Sequence, residues 1–136
     1  MPQYKFTYFN GRYIGECARQ LFALADQQYD DVRLTLEEFF AIKDKLPFGQ
    51  LPLLEEDDRK LTQSNAINRY LARKFGFLVG ESVTWVDLLI AEHVSYISAI
   101  VLEYFEGFPE VKTHMEKVQC IPNIKKWIES RPNTPY

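Results

Sequence analysis

LPLLEEDDRKLTQSNAINRYLARKFGF, residues 51–77, is the stretch on which the fold reading turns. Leu51-Pro52-Leu53-Leu54 reads as a strand entered through a proline, which removes one ladder donor and favours an edge or a turn. Local sequence alone favours a trans bond before Pro52. Asp57-Asp58 marks a hairpin turn, and Lys60 to Thr62 a short returning strand. Ser64 to Phe75 then places Ile67, Tyr70, Leu71 and Phe75 on one helical stripe. Ser64 suits the start of that helix as a cap, and Gly76 its stop.

Working upstream, Tyr4 to Phe9 (YKFTYF) is aromatic and β-compatible, and Asn10-Gly11 ends it as a turn. Tyr4, Phe6 and Tyr8 share one face of that strand. Glu16 to Gln27 predicts a helix with Ala18, Leu21, Phe22 and Ala25 on its apolar side. Asp31 to Leu36 alternates Val32, Leu34 and Leu36 against Arg33 and Thr35, which is strand period. A short helix over Glu37 to Lys45 follows. The order βαβ then ββα predicts a small mixed sheet with helices on its faces.

Downstream the pattern is all helical. Thr84-Trp85-Val86-Asp87 has capping-box spacing, with Asp for the usual Glu or Gln, ahead of a helix predicted to run to about Tyr104. Apolar residues from Trp85 to Phe105 point in nearly every direction, so this helix expects to be surrounded. Left partly uncovered, it would drive association through an exposed patch. Pro109 and Pro122 each suit the first turn of a further helix. The last helix spaces Ile121, Ile124, Trp127 and Ile128 along one side.

The chain has 136 residues, 46% hydrophobic and 15% aromatic, enough for a real core. Its net charge is −3 and no basic run exceeds two residues, so nucleic acid is not an expected partner. Two cysteines, Cys17 and Cys120, make no disulfide framework, and no Cys/His cluster has metal-ligand spacing. The default is a reducing compartment, without bound metal. Asp87, Glu92, His93 and Glu103 interrupt the most hydrophobic stretch and argue against a membrane span. His93 and His114 show no partner pattern and read as helix-face histidines. Cys17 reads as a buried bystander.

Three features bear chemistry. Tyr8, at a strand end beside a turn, fits either a core aromatic or a phenol that donates to a ligand. Leu51-Pro52, if cis, would offer the Leu51 backbone to an extended peptide. Gln63-Ser64 opens an apolar helix, and this N-terminus is either plainly capped or a carboxylate site.

Taken in order, MPQYKFTYFNGR, LPFGQLPLLEED, LTQSNAINRYLARKFGF, VGESVTWVDLLIAEH and IPNIKKWIESRP resemble sigma-class glutathione transferases along nearly the whole chain. Nematode members and the related haematopoietic-type prostaglandin D synthases are the nearest likeness. The resemblance implies a thioredoxin-like α/β N-terminal domain over residues 1–77, followed by an all-α C-terminal domain over 78–136. It implies glutathione as co-substrate and a small electrophile as second substrate. The activity would be conjugation for detoxification, or a glutathione-dependent isomerisation, in the cytoplasm. Tyr8 would activate the thiol. A cis Pro52 would leave Leu51 to pair with the glutathione backbone, and Gln63 and Ser64 would hold the γ-glutamyl end. Lys43, Gly49 and Gln50 would lie around the glycine carboxylate. Phe39 stands where the family has Trp, keeping an apolar wall without the indole donor. A free thiol ionises near pH 8.5 or so, and a phenol donating to sulfur favours the thiolate.

Two departures from the family pattern stand out. Ile14 occupies a position where the family carries an Arg near the tyrosine, and Arg12 is the cation available nearby. After Phe77, about seventy residues of the helical domain are absent, on a length reading. The truncated helical domain leaves a homodimer or an altered oligomer as the expectation. It also leaves a second reading: a non-catalytic glutathione-binding, interaction or crystallin-like structural protein.

Overall fold

The computed structural model of the protein describes residues 3–134. A four-stranded sheet runs in the order β2-β1-β3-β4. Its centre is β1 (Tyr4–Phe9), whose Tyr4, Phe6 and Tyr8 are all buried. Strand β2 (Asp30–Leu34) lies parallel to β1, from Lys5 opposite Asp30 to Phe9 opposite Leu34. Strand β3 (Leu53–Glu56) is antiparallel to it, from Tyr4 opposite Glu56 to Thr7 opposite Leu53. Strand β4 (Arg59–Thr62) returns along β3 through the turn at Asp57 and Asp58. This is the thioredoxin-like α/β arrangement, with a helical C-terminal domain behind it.

Helix α1 (Glu16–Leu24) connects β1 to β2. It stops a turn before the Gln27 predicted from periodicity, because a complete Schellman closure ends it. Asp26 takes a left-handed φ of 50°, Gln27 N–H donates to Phe22 O at 2.9 Å, and Asp26 N–H to Ala23 O at 3.1 Å. Aspartate tolerates that conformation better than most residues. The next strand likewise ends at Leu34 rather than Leu36. Thr35 and Glu38 form a capping box, with Thr35 N–H on Glu38 Oε2 at 2.7 Å and Glu38 N–H on Thr35 Oγ1 at 3.2 Å. It starts α2 (Leu36–Ile42), which passes into single 3₁₀ turns at Lys43–Lys45 and Pro47–Gly49.

Strand β3 begins two residues later than the sequence reading, because Pro52 has no N–H to give the ladder. It extends to Glu56 because Glu55 pairs with Lys5 at 3.1 Å and Lys60 at 3.7 Å. Helix α3 (Ser64–Phe75) ends at Gly76, whose φ of 85° a side chain would strain. The Tyr70 hydroxyl and the Lys74 ammonium both bond the buried Glu56 carboxylate, fastening α3 to β3.

Three helices complete the described chain. Helix α4 (Trp85–Ile100) opens with the predicted capping box, Thr84 N–H donating to Asp87 Oδ2 at 2.8 Å. It stops at Ile100, short of Tyr104. Ile100, Val101 and Leu102 are exposed, so no packing supports further helix. Helices α5 (Pro109–Gln119) and α6 (Pro122–Ser130) both start on proline.

One core joins the parts: Phe6 and Tyr4 meet Leu21 and Phe22 of α1, Ile67 and Leu71 of α3, Leu88 of α4, Val118 of α5 and Ile124 of α6. The outer side of α4 stays bare, with Val86, Ile90 and Ile100 exposed. Among the described residues no helix is long and apolar enough to cross a membrane.

Candidate functional site

The topology gathers the sequence-selected residues at one end of the sheet. Tyr8 lies at the C-terminal end of β1. The register sets Thr7 against Leu53, the first residue of β3, and Leu53 against Thr62, the last of β4. The segments preceding β3 and following β4 therefore emerge beside Tyr8. They are Leu51-Pro52 and Gln63-Ser64.

Leu51-Pro52 is a cis peptide bond, as the resemblance implied. The β3 ladder begins at Leu53, so the Leu51 backbone lies outside it. Pro52 is buried, and Leu51 packs half-buried against the core. Gln50 and Gln63, both exposed, meet directly, with Gln63 Nε2 donating to Gln50 Oε1 at 3.1 Å.

Gln63 has φ 71° and ψ 116°, a conformation rare for an L residue and worth about 1–3 kcal/mol of strain in general. It also occupies the N-cap of α3, a place the sequence reading gave to Ser64, and it makes no side-chain cap bond. Ser64 is the first helical residue, and the first turn holds no acidic residue. The N–H groups of that turn are thus available to an anion, with the helix dipole behind them.

On the other side, Phe39 of α2 packs edge-on against Phe9, ring centres 5.2 Å apart. Lys43 stands over the Phe39 and Phe40 rings at 6.0 and 5.9 Å. A Cβ added at Gly49, whose φ is 59°, would meet the Lys43 side chain at 3.5 Å, so these two lie in contact distance.

The Tyr8 ring is 5% exposed and packs on the backbone of Gly15, where an added Cβ would come within 2.2 Å of it. Burial pushes the phenol above its ordinary value. Arg19 and a bond from the Ile14 backbone N–H pull it back, while Tyr13 adds to the rise. Arg12 does not face the phenol: it pairs with Glu92 at 3.2 Å and lies 5.5 Å over the Tyr96 ring. Cys17 is buried, and burial with Glu16 and Glu92 nearby pushes its thiol up to about 12, which makes it inert. His114 does have a partner, contrary to the sequence reading: its Nε2 is 2.9 Å from Asp87 Oδ1.

Sequence reasoning missed the charged face of α1. Glu16, Arg19 and Gln20 are all buried. Glu16 accepts from Trp127 Nε1 at 2.7 Å and Arg131 Nη1 at 2.9 Å; Gln20 donates to Glu92 of α4 at 3.0 Å. Arg19 bonds Phe9 O at 3.0 Å and Asp31 at 3.0 Å. The spacing of Glu16 and Arg19 at i, i+3 was the only local hint. A separate cavity of about 310 Å³ is lined by Phe22, Tyr29, Asp31, Lys126 and Trp127 among others; Tyr8, Gln50, Leu51, Gln63 and Ser64 do not border it.

Comparison with known proteins shows the family. Residues 4–73 match the family model for the glutathione S-transferase N-terminal domain, and residues 56–131 that for the C-terminal domain. Glutathione S-transferase 4 of Caenorhabditis elegans is 42% identical over 205 residues, covering 98% of this chain and 99% of that one. Glutathione S-transferase 1 of Ascaris suum is 33% identical over 206 residues, covering all of both. The solved Nu-class enzyme of Haemonchus contortus superposes with a TM-score of 0.92 at 36% identity, again covering all of both. The chain belongs to the glutathione S-transferase family, in its nematode branch.

Proposed function

We propose that the chain binds glutathione at the Tyr8 end of the sheet and transfers its thiolate to a small electrophile. The observation that carries this is the convergence there of an uncapped helix N-terminus, the Leu51 backbone outside the β3 ladder and a buried phenol. Glutathione is an extended tripeptide with a carboxylate at each end, and these groups match it part for part. Leu51, beside Pro52, pairs with its backbone. Gln63 and Ser64 hold the γ-glutamyl carboxylate at the N-terminus of α3. Lys43, with Gly49 and Gln50, holds the glycine carboxylate, and Phe39 walls the peptide.

Tyr8 donates its O–H to the sulfur and so favours the thiolate. The sulfur then attacks an electrophilic carbon: a C–S bond forms, and the leaving group departs with its electron pair. In an isomerisation the same bond later breaks and glutathione is returned.

The finer assignments belong to the same reading. We take the protein as sigma-type, cytoplasmic, and divided near Phe77 into a glutathione-binding and a helical domain. We also take it as lacking an internal segment of the helical domain. The lengths support this: the match to the C. elegans relative runs over 205 residues, and the chain has 136. The exposed Val86, Ile90 and Ile100 on α4 support a face left without its cover, and with it a homodimer or altered oligomer over an isolated chain.

One observation favours the non-catalytic alternative. Arg12 is spoken for by Glu92 and Tyr96, and Ile14 supplies no charge beside Tyr8.

The test is the thermal unfolding midpoint against rising glutathione. A ligand bound only by the folded state at a hundredfold excess over Kd adds about 2.7 kcal/mol. A saturable upward shift that Gln63→Ala with Ser64→Ala abolishes supports the site; a cooperative transition with no shift refutes it. Conjugation of a small aryl halide, lost in Tyr8→Phe, separates enzyme from binder.

A further inference from the structure

We propose that Arg19 is the positioning residue of Tyr8, fixing the strand end that carries the phenol and supplying the positive field behind it. The inference rests on the reading of Tyr8 as donor to the thiol.

The guanidinium is fully buried. Its Nη2 donates at 3.0 Å to the carbonyl of Phe9, the residue after Tyr8, and its Nη1 to Gly11 O at 2.5 Å in the turn. The same group lies 5.7 Å over the Phe6 ring and 5.8 Å over the Tyr8 ring. Arg19 thus grips both sides of the bend at Asn10 and Gly11 that ends β1 just past Tyr8.

Two carbonyls need only neutral donors, and burying a cation to satisfy them is costly. What a cation adds is a field. Arg19 is the positive group that draws the phenol down, against burial and Tyr13. The charges packed next to Arg19 and Tyr8 are engaged, while Lys43 stands apart over the Phe39 and Phe40 rings. Arg12 is held by Glu92, Glu92 is shared with Gln20 and Arg131, and Arg33 is on Asp31. Arg19 itself is balanced by Asp31 at 3.0 Å and by Glu16 at 3.5 Å, and Glu16 is shared with Arg131. The strength of its field on Tyr8 therefore depends on how far Asp31 neutralises it.

This gives a test with opposite signs. The readout is the pH profile of kcat/KM for conjugation of a small aryl halide, whose rising limb reports thiol ionisation. Arg19→Gln removes the charge, weakens the phenol as a donor and moves the midpoint up by about one unit, roughly a tenfold loss below the midpoint that closes at high pH. Arg19→Lys keeps the charge but not both carbonyl bonds, so it lowers the plateau and leaves the midpoint. Asp31→Asn frees the guanidinium from its closest anion and moves the midpoint down. Asp31 is partly exposed but also holds Arg33, which stands opposite Tyr8, so the shift must persist when Asp31→Asn is combined with Arg33→Gln; that pair decides the matter even where Arg19→Gln fails to fold.

The proposal is overturned by an unmoved midpoint in folded Arg19→Gln or in Asp31→Asn. It is also overturned by an Asp31→Asn shift that persists in a Tyr8→Phe background. A Tyr8→Phe variant whose own midpoint matches the wild type refutes the underlying reading instead, so the two failures are distinguishable.

Discussion

Replacing Arg131 with methionine isolates the charge network that joins the sheet domain to the helices. Arg131 caps α6, and its Nη1 bridges two buried carboxylates, Glu16 of α1 at 2.9 Å and Glu92 of α4 at 3.3 Å. Methionine keeps much of the apolar stem and removes the bridge. Glu16 then retains Trp127 and Arg19, and Glu92 retains Gln20 and Arg12. Breaking a buried ion pair by removing one partner costs about 3–5 kcal/mol, and the cations that remain set the expectation at the low end, about 3 kcal/mol at pH 8. For a chain of this size that is a fall in Tm of roughly 10 °C.

The loss must depend on pH. Burial, and then the nearby Glu16, holds the Glu92 carboxyl above its ordinary value, while Arg131 and Arg12 pull it down. A carboxyl raised in the folded state binds its proton more tightly there than when unfolded. Its contribution is therefore full below the unfolded value and is lost as pH rises through the folded one. Without Arg131 the folded value climbs further, so acid relieves the variant. We expect the cost at pH 5 to be about half that at pH 8. Urea unfolding at the two pH values measures it, with Glu92→Gln/Arg131→Met as the companion that recovers about half of the loss at pH 8. A cost equal at both pH values, or below about 1 kcal/mol at pH 8, refutes the reasoning.

Further outcomes follow from single features. A thiol reagent should modify Cys120, which is exposed, within seconds to minutes, and Cys17 only on unfolding; two fast thiols per chain would contradict the buried placement of Cys17. Asp87→Ala removes both the α4 capping box and the bond to His114, and should cost about 1–2 kcal/mol at neutral pH. Burial alone would raise this carboxyl, but His114 and Thr84 hold it below its ordinary value. Its contribution is present above the unfolded value, and unfolding curves should converge with the wild type as pH falls through the folded one. Ile100→Lys with Leu102→Lys should reduce dye binding and self-association with little change in stability, because both side chains are exposed; a large loss of Tm would show that they are packed.

Much of the architecture lay in short-range pattern. The YKFTYF strand and the Ser64–Phe75 helix have the predicted ends, and the Thr84/Asp87 box and the two helix-opening prolines form as read. Each is encoded within a few residues by periodicity, φ preference or side-chain-to-backbone bonding. Where ends moved, a local closure had gone unread: the left-handed Asp26, or the Thr35/Glu38 box. The candidate site was legible as three fragments, Tyr8, Leu51-Pro52 and Gln63-Ser64, each of them ambiguous by itself. Only the strand register brings them to one end of the sheet. The Gln50–Gln63 bond, the empty cap of α3 and the commitment of Arg12 to Glu92 likewise belong to the folded chain.

The sequence by itself determined the elements, their order and the apolar stripes that face the core. The tertiary structure alone decided which charges are buried. On α1, Glu16, Arg19 and Gln20 read as an ordinary polar face. They are inside because Trp127, Arg131 and Glu92 arrive from far along the chain to meet them. Burial of a charge depends on partners that desolvate and neutralise it together, and no local window of sequence contains those partners.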